Sequence, residues 1–95
     1  MLRVLQDFAE RERREKNAEV VIRSLKLRTL MRRGRIPDLR IRTRPNACFL
    51  IESRKGRETR IYFFDLEGRM LGAEDFEMGD ARLRELLHHS RRLPG

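Results

Sequence analysis

Residues 47–65 read ACFLIESR-KGR-ETRIYFFD, two largely apolar runs of eight residues on either side of Lys55-Gly56-Arg57. β-Branched and aromatic side chains fill both runs, and a short Gly-containing break between such runs marks a β-hairpin. With Gly56-Arg57 as a two-residue loop, Leu50 faces Phe63 and Ile51 faces Tyr62. Period-two alternation then puts Phe49, Ile51, Tyr62 and Phe64 on one face, and Cys48, Leu50, Ile61 and Phe63 on the other. Both faces are apolar. That requires either one helix on each side of the sheet or a face taken up by a partner, of which a second copy of the chain is the simplest.

Outward from the hairpin, Glu67-Gly68 turns into a short strand over 69–73, with Leu71 on the Phe49 face and Met70 on the Cys48 face. Asp80 reads as the N-cap of a last helix carrying Leu83, Leu86 and Leu87, ending near Arg92. Upstream, Leu39-Arg40-Ile41-Arg42-Thr43-Arg44 alternates as a strand before the Pro45-Asn46 turn. Residues 2–33 read as helix, in one piece or two. Leu2, Leu5 and Ala9 share a face, while residues 11–16 are charged on every side and are expected in solvent, with Glu10–Arg14 and Glu12–Lys16 pairs. Ala18, Val21, Ile22 and Leu25 form one face of the second piece, and Val20, Leu27, Leu30 and Met31 the opposite side. Arg32, Arg33, Gly34 and Pro37 supply its stop. A strand through Val20–Ile22 is the main rival, since β-branched residues cluster there. The expected fold is a single α+β domain over 1–95: a long N-terminal helix, an antiparallel meander of three to four strands and a C-terminal helix.

The chain has 95 residues, 23 basic and 15 acidic, for a net charge of +8. No apolar run approaches the ~20 residues a bilayer demands, and Met1-Leu2-Arg3 opens no secretory signal, so no membrane association is expected. A lone cysteine, Cys48, suits a reducing cytoplasm. The charge is unevenly spread: residues 1–19 balance, 20–60 hold +10, 61–80 hold −5 and 81–95 hold +3. Twenty of the bases are Arg, which forks onto phosphate as Lys does not.

The basic tract Arg28, Arg32, Arg33, Arg35, Arg40, Arg42 and Arg44 is the candidate nucleic-acid contact. Strand alternation aims Arg40, Arg42 and Arg44 one way, about 7 Å apart, close to the phosphate repeat of one strand. Lys55, Arg57 and Arg60 on the hairpin extend the track. Phe49, Tyr62 and Phe64 either stack on bases or form core, with the Tyr62 hydroxyl suited to a wet edge. His88 and His89 are adjacent on a helix and diverge by about 100°, so they cannot chelate one metal. The acids Asp65, Glu67, Glu74, Asp75, Glu77 and Asp80 repel phosphate or pair with bases of a second chain. No cofactor, metal site or catalytic set is read. The chain is expected to bind RNA or DNA rather than to be an enzyme, as a homodimer or within an assembly; the alternative is a protein-interaction adaptor using an exposed apolar helix or sheet face.

Ile36-Pro37-Asp38, a strand, and then Leu50-Ile51-Glu52-Ser53-Arg54 resemble the PD-(D/E)xK nuclease superfamily over residues 19–55. The resemblance implies Asp38 and Glu52 as ligands of a divalent metal and Glu19, on the preceding helix, as an extra acid. Arg54 stands where that family has Lys, and Lys55 falls one place late, on the opposite face of the strand. The family's later helix and strand are not read here, which makes the implied domain a degenerate one. The α-β-β-β-α order is also similar to that of double-stranded RNA-binding domains and small signal-recognition-particle subunits, without the Lys-Lys-x-Ala-Lys opening of the last helix.

Overall fold

In a computed structural model, residues 2–25 and 48–94 are described. Helix α1 (Arg3–Lys16) leads into strand β1 (Glu19–Leu25); β2 (Cys48–Lys55), β3 (Glu58–Phe64) and β4 (Met70–Glu77) follow, then helix α2 (Ala81–His89) and strand β5 (Ser90–Arg92). The five strands form one antiparallel sheet in the order β4-β3-β2-β1-β5. The α+β class, the antiparallel meander and the terminal helices agree with the sequence.

The β2–β3 hairpin keeps the expected register, with Leu50 opposite Phe63 and Ile51 opposite Tyr62. Alternation sorts the core into two clusters, one per face. Leu5 and Ala9 of α1 pack with Val20, Ile22, Ile51, Tyr62 and Phe64. Leu83 and Leu86 of α2 pack with Leu25, Cys48, Leu50, Ile61, Phe63 and Phe76 on the other side. Each face thus has its own helix, which answers the two-faced apolar pattern within one chain.

Four details depart from the sequence reading. First, a second helical piece is absent at 19–25: this stretch is β1, paired along its length with β2 from Glu19↔Arg54 to Leu25↔Cys48. Asn17 takes the left-handed conformation (φ 53) that ends α1, and Val20-Val21-Ile22 then do better on a pleated, half-buried surface than in a helix. Second, β4 runs to Glu77, and an irregularity in its pairing, where Phe63 meets Gly72 but Phe64 meets Met70, leaves Leu71 as an extra residue. The bulge turns Leu71 onto the α2 face, against the cluster that holds Phe63, instead of the Phe49 face. Third, α2 stops at His89, where Ser90 is extended, and its hydroxyl donates to the Leu87 carbonyl (2.8 Å). Fourth, β5 was not expected; it adds to the free edge of β1, with Leu25↔Ser90 and Arg23↔Arg92. The second helical piece beyond Leu25, its stop signals and the strand over 39–44 lie outside the described residues. No helix among the described residues is long and apolar enough to cross a membrane.

Candidate nucleic-acid interface

Charge is divided sharply between two parts of the chain. Residues 26–47 contain eight bases (Lys26, Arg28, Arg32, Arg33, Arg35, Arg40, Arg42, Arg44) and one acid, Asp38, a net +7. The described residues contain 15 bases and 14 acids. Many of those bases are already held by carboxylates: Lys16 by Glu12, Arg23 by Glu52, Arg54 by Glu19, Arg69 by Glu67, and Arg82 by both Glu74 and Asp80. The folded body is therefore close to neutral, and residues 26–47 carry almost all of the excess.

The seven arginines Arg28, Arg32, Arg33, Arg35, Arg40, Arg42 and Arg44, and Asp38, lie outside the described residues. Their points of attachment are fixed, however. Leu25 and Cys48 are partners on adjacent strands, so β1 ends and β2 begins at the same end of the sheet. Lys55 and Arg57, both exposed, sit at the opposite end of β2, roughly 23 Å away along an extended strand. Arg60 is engaged within the chain: its Nε and Nη2 donate to Asp75 Oδ1 and Oδ2 at 2.7 and 3.1 Å. That fork holds the Asp75 carboxyl below its ordinary range and pushes the guanidinium pKa up, the Asp75 hydrogen bonds acting first in each case. The hairpin thus offers Lys55 and Arg57 to an anion, with Arg60 already satisfied by a carboxylate.

The aromatic face belongs to the core. Phe8 of α1 lies edge-on to Tyr62 and Phe64, with centroids 4.7 and 5.3 Å apart, so both rings are covered and cannot stack on a base. The Tyr62 hydroxyl faces a buried carboxylate instead of a wet edge. Glu12, expected in solvent, is buried: its Oε2 accepts from Ser53 Oγ (3.0 Å), and its Oε1 accepts from Tyr62 OH (3.2 Å) and pairs with Lys16 Nζ (3.1 Å). Lys16 Nζ also donates to Tyr62 OH at 2.9 Å, and these two contacts raise its pKa, Tyr62 first.

Of the residues implied by the nuclease resemblance, Glu19, Glu52 and Arg54 line one groove of about 580 Å³ between the sheet and α2. Glu19 begins β1 and is not on a helix. Glu52 Oε1 lies 2.9 Å from Arg23 Nε, and Glu19 pairs with Arg54, so each carboxylate has a resident cation where a divalent ion would sit. A helix and a strand do follow the meander, as α2 and β5, the latter three residues long and antiparallel to β1. Among the described residues no group of three or more His, Cys, Asp or Glu side chains is arranged to hold a metal. His89 Nε2 lies 3.0 Å from Glu85 Oε1, one turn back along α2, and His88 meets His89 edge-on at 5.2 Å. Large exposed apolar side chains among the described residues are Val4, Leu66, Met70 and Met78, which do not form a bare sheet face.

Arg91 and Arg92, expected at the end of the last helix, stand on β5 instead. On β5 they are exposed, on the strand that borders β1 at the end where residues 26–47 depart. The strand that holds them has no sequence signal, because three residues are too few for an apolar pattern. No family model, curated protein or solved structure matches this chain.

Proposed function

We propose that this chain is a nucleic-acid-binding module, cytoplasmic and without catalytic activity of its own, that contacts backbone phosphates through the arginines of residues 26–47. The observation that carries the proposal is the segregation of charge: a net +7 within 22 residues, rooted in a body whose own charges nearly cancel. Charge needed only for solubility would be spread over the surface, whereas a concentrated cationic segment is the electrostatic footprint of a polyanion ligand. Arginine accounts for seven of the eight bases there, and its fork fits two phosphate oxygens at once. Phosphate contacts position a protein on nucleic acid but carry no sequence information, so the expected binding is general rather than sequence-specific. A helix covers each face of the sheet, so the proposal calls for no second copy.

The test is a binding panel of single- and double-stranded RNA and DNA at 50 and 200 mM salt. Six phosphate contacts predict roughly a thousandfold loss of duplex affinity between those concentrations. Affinity that barely changes with salt, or no binding at 50 mM, overturns the proposal and favours a protein-interaction adaptor.

A further inference from the structure

Arg91 and Arg92 differ from Arg23, the β1 residue beside them, and from the other arginines held by carboxylates. Arg23, Arg54, Arg60, Arg69 and Arg82 each have a carboxylate of the same chain. Arg91 and Arg92 are exposed and make no hydrogen bond or ion pair through their side chains among the described residues. Their backbone is nonetheless fixed, by pairing with Ser24 and Arg23 of β1 and by the Leu93 N–H donating to the Ile22 carbonyl at 2.9 Å. Successive strand residues project to opposite faces, so the two guanidinium groups straddle the edge of the sheet.

Arg92 stands directly across from Arg23. Like charges facing each other across a strand pair are unfavourable. Glu52 compensates Arg23, leaving Arg92 as a held, uncompensated cation. The first residue of β5, Ser90, is the cross-strand partner of Leu25, the last described residue before the +7 segment. The two free arginines of β5 therefore sit beside the root of that segment, at the end of the sheet away from the hairpin turn.

We propose that Arg91 and Arg92 form a phosphate-binding point on the folded body itself, gripping the same nucleic-acid backbone that the arginines of residues 26–47 contact. This inference rests on the nucleic-acid reading above. Ordered main chain reduces what is lost on binding to side-chain freedom alone. An edge arginine pair also blocks strand-to-strand association, and that simpler role is an outcome of the test.

The experiment uses the full chain and fluorescein-labelled 25-base-pair RNA and DNA duplexes, read by anisotropy from 50 to 200 mM salt. Arg91→Ala/Arg92→Ala is compared with Arg3→Ala/Arg14→Ala, which removes the same charge from exposed positions on α1. Loss of two phosphate contacts makes the log–log salt slope shallower by roughly 1.8 and lowers affinity at 100 mM salt by roughly tenfold or more. The α1 variant keeps the parent slope. Circular dichroism and thermal melting confirm that both variants fold, as expected for exposed side chains whose backbone bonds are untouched. Three results overturn the inference: a parent slope in the β5 variant, equal losses in both variants, or unchanged binding with new self-association. Any of these leaves the nucleic-acid reading standing, whereas failure of the parent to bind either duplex removes both. Parent binding to phosphatidylserine vesicles but not to the duplexes assigns the arginines to a membrane surface and also removes both.

Discussion

Glu12 shows how much one residue decides. It lies in a run of charged side chains on α1, yet it is the carboxylate that points inward and takes hydrogen bonds from Ser53 and Tyr62 on two different strands. Replacing it with Ala leaves two buried hydroxyls without an acceptor, at a cost of about 1–3 kcal/mol. Tyr62→Phe removes the hydroxyl together with its bonds to Glu12 and from Lys16, and because Glu12 and Lys16 still pair with each other it costs about 0.5–1.5 kcal/mol. Urea midpoints with unchanged slopes check both, and a Glu12→Ala variant as stable as the parent would contradict the docking of α1 through Glu12. Cys48 gives a pH-dependent companion. Burial pushes its thiol pKa from 9.0 up to about 12. A thiol harder to ionise when folded contributes fully below its ordinary pKa, and the contribution fades as pH climbs from 9 toward 12. A thiol-specific disulfide reagent at pH 8 should leave the native protein unlabelled and react at once in urea; prompt native labelling contradicts this burial.

Among the elements, the turn between β3 and β4 links the sheet to the start of α1. Asp65 Oδ1 accepts from the N–H groups of Glu67 and Arg69, both at 2.9 Å, and Gly68 closes the turn at φ +88. A Cβ on Gly68 would meet Val4 Cγ1 at 2.5 Å. Gly68→Ala should therefore destabilise by about 1–3 kcal/mol, from backbone strain and steric conflict together. Adding Val4→Ala should recover part of that loss in thermal melting; no recovery means that Val4 is not the obstacle. Such elements also mark what a sequence reveals. The β2–β3 hairpin was legible because Lys55-Gly56-Arg57 pins its register and period-two alternation on both sides repeats it. β1 was not, since Val20, Val21, Ile22 and Leu25 satisfy a helix apolar on most sides as well as a strand; Asn17 and the open edge of β2 settle the matter. The bulge beside Leu71 has only Gly72 as a local sign, so the turnover of Leu71 to the α2 face emerges from pairing alone. Arg60 looked free for the same reason: its fork onto Asp75 depends on β4 continuing past Ala73.

Over the whole molecule, charge separates a nearly neutral body from a cationic segment at residues 26–47. The sandwich of one sheet between two helices is held by apolar clusters and paired charges, and it brings Leu25 and Cys48 side by side. Residues 26–47 then carry the excess charge from that fixed root. Removing charge from this segment should alter binding while leaving the helices and sheet in place. The decisive measurement is the salt dependence of duplex binding by Arg40→Ala/Arg42→Ala/Arg44→Ala beside the parent chain. Three lost phosphate contacts predict a log–log slope shallower by roughly 2.7, with an unchanged melting temperature. A variant that binds with the parent's slope would contradict phosphate recognition by these arginines.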